Sequence, residues 1–167
     1  MLKEFNKEFR YILPFSVKKN EISFIIFAIW TKDSKENKNH KTKYIEQIWL
    51  AIEYYANLLN KTVVLIGDFN SNKIWDYKHK SRSHTDVVNR LAEKVIYSAY
   101  HQYFNCGHGE EQHSTFFRYG DFQKRYHIDY GFVSGDIYKK LKNIKIDEAG
   151  EWIKYVDHVP LNVEFDI

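Results

Sequence analysis

The chain has 167 residues, 44% of them hydrophobic, 17% aromatic and 28% charged. That is enough apolar material for one core, and it excludes a disordered, collagen-like or linker-like chain. The net charge, 25 − 22 = +3, allows a phosphate-bearing partner without requiring one.

A single cysteine, Cys106, cannot close an internal disulfide, and Met1–Arg10 has no apolar signal-peptide run. No apolar stretch approaches the roughly 20 residues of a membrane span. These features predict a cytoplasmic protein with no membrane partner.

In chain order, Phe9–Val17 and Glu21–Trp30 read as two strands of a hairpin turned by Lys18-Lys19-Asn20. The second is almost continuously apolar, as a strand covered on both faces would be. Thr31–Lys43 is a polar loop with five lysines, either a solvated surface or a phosphate-contacting patch.

Tyr44–Asn60 carries Tyr44, Ile48, Trp49, Ile52, Tyr55 and Leu59 on one helical stripe. Thr62–Ile66 is a short β-branched strand ending at Gly67. Asp86–Tyr100 reads as a second helix with Val88, Leu91, Ala92, Val95 and Ala99 inward and Thr85 as its N-cap. Strands follow at Ser114–Tyr119, Tyr126–Ser134, Ile144–Asp147 and Leu161–Ile167, with a short helix near Asp136–Leu141. The pattern predicts a single α+β layered domain spanning residues 1–167.

Three segments place polar residues where an apolar strand ends. In Gly67-Asp68-Phe69-Asn70, side chains two apart share a side, so Asp68 and Asn70 could together hold a water or cation beside a phosphate. Gly, Asp and Asn also favour turns for local reasons, and a plain turn is the alternative. In Tyr126–Ser134, alternation predicts His127 and Asp129 on one face, either a paired carboxylate or an exposed polar face. Asp157-His158 precedes the final strand, where a carboxylate can set the proton chemistry of a histidine, though such dipeptides are common in loops.

Taken together and in this order, these segments resemble the endonuclease/exonuclease/phosphatase family. The similarity includes Asn72-Lys73-Ile74-Trp75-Asp76 and His113-Ser114-Thr115-Phe116, and runs through essentially all of the chain. The resemblance implies a deoxyribonuclease I-like β-sandwich flanked by helices and a metal-dependent phosphodiesterase, foremost a nuclease acting on DNA.

By resemblance, Asp68 would position and deprotonate the attacking water, and Asn70 would hold that water or the phosphate. His158, oriented by Asp129, would stabilise the transition-state charge, and Asp157, Asp68 and Asn70 would support Mg²⁺ or Mn²⁺. Trp30, Asn72, Thr115 and His127 would contact substrate.

The chain departs from the family pattern at the front. Family members carry an earlier Asn and a Gln-Glu whose Glu is the principal metal ligand, and Met1–Glu8 is too short to hold that segment. Trp30 stands near a family Tyr or His, and Val156 where Ser is common. The expectation is a sandwich lacking its N-terminal strands, with Phe24 and Ile26 exposed and the chain self-associating or complemented by an N-terminal segment. A catalytically impaired binding remnant and a phosphatase acting on another phosphoester are the alternatives.

Overall fold

The structure is a computed structural model that describes Leu2, residues 4–33, Thr42 and residues 44–167. Most of the lysine-rich loop expected at Thr31–Lys43 lies outside the described residues. Strands β1 (Ile12–Lys19), β2 (Ile22–Trp30), β3 (Val63–Asp68), β4 (Ile96–Ser98), β5 (Phe116–Phe117), β6 (Arg125–Tyr126), β7 (Asp129–Ser134), β8 (Leu141–Ile146) and β9 (Leu161–Phe165) follow one another along the chain. Helices α1 (Ile45–Tyr54), α2 (His84–Ala92), α3 (Ala99–Phe104), α4 (Gly135–Tyr138) and α5 (Ala149–Trp152) intervene.

The principal sheet has the order β1-β2-β3-β7-β4. β1 and β2 form the expected hairpin, turned by Asn20-Glu21 with Asn20 at φ 55°. β3 runs parallel to β2 after the crossover through α1, and β7 lies antiparallel to β3. Period-2 alternation sorts the side chains between the two faces. Ile25, Phe27, Ile29, Val63, Leu65, Tyr130 and Phe132 bury one face with Ile45, Ile48 and Ile52 of α1 and Val87 and Leu91 of α2.

The opposite face carries Val64 and Val133 and packs with Ala99, Tyr100, Ile137 and Ile144; Phe24, Ile26 and Val163 join from its margin. β8 and β9 form a separate antiparallel pair. Phe24 and Ile26 are half-buried rather than open, so the expected exposed apolar face is partly covered.

The helix expected over Asp86–Tyr100 is two helices and a strand. α2 ends at Ala92; Val95, 55% exposed, turns to φ 58°, and Ile96–Ser98 pairs with Phe132–Ser134. The open edge of β7 offers hydrogen bonds to a β-branched and aromatic run, and that tertiary gain overrides the helical spacing. Ser83, not Thr85, caps α2. Its hydroxyl accepts the Asp86 N–H at 3.2 Å, and the Asp86 carboxylate accepts the Ser83 N–H at 2.9 Å.

The expected strand over Ser114–Tyr119 shrinks to Phe116–Phe117, and that over Tyr126–Ser134 divides around His127-Ile128.

Candidate active-site cleft

Strand register builds the site. β3 pairs with β2 so that Trp30 lies beside Asp68, and with β7 so that Asp68 lies opposite Asp129. Three sequence-distant residues therefore share one row at the end of the sheet. Gly67, one step earlier, has φ 136°, and a Cβ there would sit 2.0 Å from the Ile29 carbonyl oxygen. Only glycine lets β2 and β3 close up at this point.

Beyond Asp68 the chain folds back on the carboxylate. Asp68 Oδ1 accepts the Asn70 backbone N–H at 2.8 Å, and Oδ2 accepts Asn70 Nδ2 at 2.6 Å. Asn70 sits at φ 47°, a region asparagine tolerates, and its Nδ2 also donates to the Thr31 carbonyl at 3.0 Å. With Nδ2 committed to these two bonds, the carboxamide oxygen is the Asn70 atom left for a ligand.

His158 Nδ1 is 2.9 Å from Asp129 Oδ2, the pairing expected from the motifs. Nε2 is then the ring nitrogen left for a ligand.

Thr115 fastens the segments that carry Asp129 and His158. Its Oγ1 accepts the N–H groups of Ile128 and Asp129 at 3.1 Å each, and its carbonyl accepts the Val159 N–H at 2.7 Å. The Phe116 ring packs 4.8 Å from the His158 ring. Gly67, Asp129 and His158, with Trp152, Val156 and Pro160, border an open cleft of about 280 Å³.

The electrostatics follow from these contacts. Burial and the facing charge of Asp129 push the Asp68 pKa up to about 6, against the opposing pull of Asn70 and His158. Burial by itself would lower the His158 pKa. The Asp129 hydrogen bond and the charges of Asp129, Asp68 and Asp157 outweigh it, and the pKa is raised.

Other candidate residues fall elsewhere. Asn72, Thr115 and His127 are 2%, 0% and 4% exposed, and their polar groups serve the interior instead of lining the cleft. Asn72 Nδ2 donates to the His127 carbonyl, Tyr130 Oη and Glu111 Oε2, while its Oδ1 accepts the Ile74 N–H. His127 does not share a face with Asp129. It lies outside β7, with Nδ1 against the His113 carbonyl and its ring 4.4 Å from Tyr100. Asp157 is exposed, near enough to bias His158.

Trp30 is 54% exposed, and Lys32 Nζ stands 3.3 Å from its ring centroid. Thr31 and Phe116 also border the site, through the Thr31 carbonyl and the Phe116 ring. In the sequence their signal is membership of the polar loop that follows Trp30 and of the His113-Ser114-Thr115-Phe116 segment.

No family model matches this chain, and no curated protein matches it. Solved structures do, over nearly its whole length. They include the Neisseria 3′ phosphatase NExo bound to product DNA hairpin, with TM-score 0.60 and 18% identity over 92% of this chain and 65% of that one. The AP endonuclease LMAP from Leishmania major matches with TM-score 0.65 and 10% identity over 92% and 54%. An AP endonuclease from Archaeoglobus fulgidus matches with TM-score 0.59 and 17% identity over 92% and 65%.

The fold is thus that of the endonuclease/exonuclease/phosphatase proteins, an α+β deoxyribonuclease I-like architecture. The chain spans 54–65% of the length of these three structures.

Proposed function

We propose that this chain is a phosphodiester hydrolase that acts on nucleic acid by in-line attack of water. The observation that carries this reading is the opposition of Asp68 to an Asp129–His158 pair 2.9 Å long at one end of the sheet. A carboxylate with a pKa of about 6 is ionised at neutral pH yet basic enough to take a proton from water. Asp68 is the base, and Asn70 orients the water or the phosphate through its carboxamide. Asp129 holds His158 in its protonated form, and His158 Nε2–H donates to a non-bridging phosphate oxygen as charge builds there.

Trp30, in register beside Asp68 and with Lys32 Nζ over one face of its ring, suits a base stacked on indole beside a phosphate. The fold shared with NExo, whose structure contains DNA, supports a nucleic-acid substrate.

The oxygen-rich donor set of Asp68, Asn70 and Asp157 fits a hard cation, Mg²⁺ or Mn²⁺, which would supply Lewis-acid stabilisation of the phosphate oxygens. Of these three groups Asp157 is exposed to solvent. That observation favours weak cation affinity and a second reading, a nucleic-acid-binding protein of the same fold with little turnover. A Mg²⁺ dose series on duplex, abasic and single-stranded DNA decides between them, with Asp68→Ala and His158→Ala alongside. Cleavage lost about 10²–10⁴-fold in each variant supports the hydrolase. Salt-sensitive binding with equal background cleavage in all three supports the second reading.

A further inference from the structure

On the α2–α3 side of Tyr130 lies a buried set of imidazoles that the proposed reaction does not use. His84 opens α2, His101 lies in α3, and His108 and Glu111 follow in the next loop. One ligand atom from each of His101, His108 and Glu111 falls within 4.8 Å of the others. His101 Nε2 is 2.9 Å from Glu111 Oε1, His84 Nε2 is 2.9 Å from His108 Nδ1, and the His101 and His108 rings stack at 3.5 Å.

The Glu111 side chain is 5% exposed, and among the described residues its only ion-pair partner is His101. Two ring nitrogens here, His84 Nδ1 and His127 Nε2, are buried without a hydrogen-bond partner in residues 1% and 4% exposed. An orphaned buried nitrogen is costly, and a bound water or ion is the usual resolution.

We propose that His101, His108 and Glu111 bind a borderline transition-metal cation of the Zn²⁺ class, with His84 as a fourth candidate ligand. Two imidazoles and a carboxylate suit such an ion, and nitrogen donors disfavour Mg²⁺. Tetrahedral ligands about 2.0–2.1 Å from Zn²⁺ lie roughly 3.3 Å apart. The 2.9 Å pairs need to open by less than an ångström, and the widest separation, within 4.8 Å, to close by up to about 1.5 Å, to admit the ion. Ser98 Oγ, 2.7 Å from His101 Nδ1, is placed to orient that ring as a second-layer partner does.

The ion would brace the loop that carries the cleft's own residues. Glu111 and His127 both meet Asn72 Nδ2, two residues beyond Asn70.

The test uses the full chain stripped with a chelator, then titrated with Zn²⁺ or Co²⁺ alone in equilibrium dialysis and visible spectroscopy. The expected result is stoichiometric binding that excess Mg²⁺ does not displace, with the d–d absorption of four- or five-coordinate Co²⁺. His108→Ala and Glu111→Ala should lose that absorption, and Ser98→Ala should weaken binding about 10–100-fold. Because the first two variants remove buried groups, Ser98→Ala and the wild-type spectrum carry the test if they misfold. Three results overturn the proposal: no binding by the folded wild type, binding equal in every folded variant, or a thiolate charge-transfer band assigning the metal to Cys106. The first leaves a metal-free hydrogen-bonded relay, with Ser98 donating to His101 and His101 to Glu111.

Discussion

Replacing Asp68 by asparagine separates the cost of the site from its chemistry. The carboxyl pKa rises from 3.8 to about 6 because the charged form is buried and faces Asp129. At 1.36 kcal/mol per unit, a shift of about two units makes the ionised carboxylate destabilising by about 3 kcal/mol. The sign follows from linkage: below about pH 4 the group is protonated in both states and costs nothing. As pH rises to about 6 the unfolded chain ionises first and stability falls, and above that the loss is constant.

Asp68→Asn removes this penalty but disrupts the bond with Asn70 Nδ2, worth about 1 kcal/mol. The variant should therefore be more stable than wild type by about 1–2 kcal/mol at about pH 8 and no more stable at about pH 4. Urea unfolding at the two pH values measures the difference, and a cleavage assay on the same samples should show activity lost as stability is gained. A variant that is destabilised equally at both pH values would refute the argument, because the carboxylate would then be serving the fold and not straining it.

Other outcomes follow from single contacts. His158 should titrate above 6.5 by NMR, and Asp129→Asn should bring it down, since burial then acts with its main opposition removed; an unchanged titration would break the pairing. The stability supplied by protonated His158 is full below about pH 6.5 and is lost as pH rises through the raised folded value. Gly67→Ala places a methyl against the Ile29 carbonyl and should cost at least about 3 kcal/mol in denaturant unfolding. Thr115→Val keeps the shape but strands the buried Ile128 N–H, at about 1–3 kcal/mol, and the half-buried Asp129 N–H at less. It should lower Tm, and turnover with it through Asp129.

The short-range parts of this protein were legible in its residues. The β-branched apolar run Thr62–Ile66 and the break at Gly67 mark a buried strand and its end, because composition and run length are written locally. The 3.6-residue stripe from Tyr44 to Leu59 marks α1 for the same reason, although the helix proper runs only from Ile45 to Tyr54. Asp68, Asn70, Asp129 and His158 could be picked out by strand-end position and motif order.

Tertiary structure decided the rest. Val88, Leu91, Ala92, Val95 and Ala99 satisfy a helical spacing, but the free edge of β7 claims Ile96–Ser98, and an edge 35 residues or so distant in sequence leaves no local mark. Asn72, Thr115 and His127 carry polar groups that suit a substrate as well as a buried framework; packing around Tyr130 turns Asn72 and His127 inward, and the Ile128 and Asp129 N–H groups hold Thr115. The gathering of His84, His101, His108 and Glu111 was equally invisible. Their helices and loop converge only when the sheet is assembled, and it is burial, absent from any list of residues, that turns four ordinary polar side chains into a concentrated donor set.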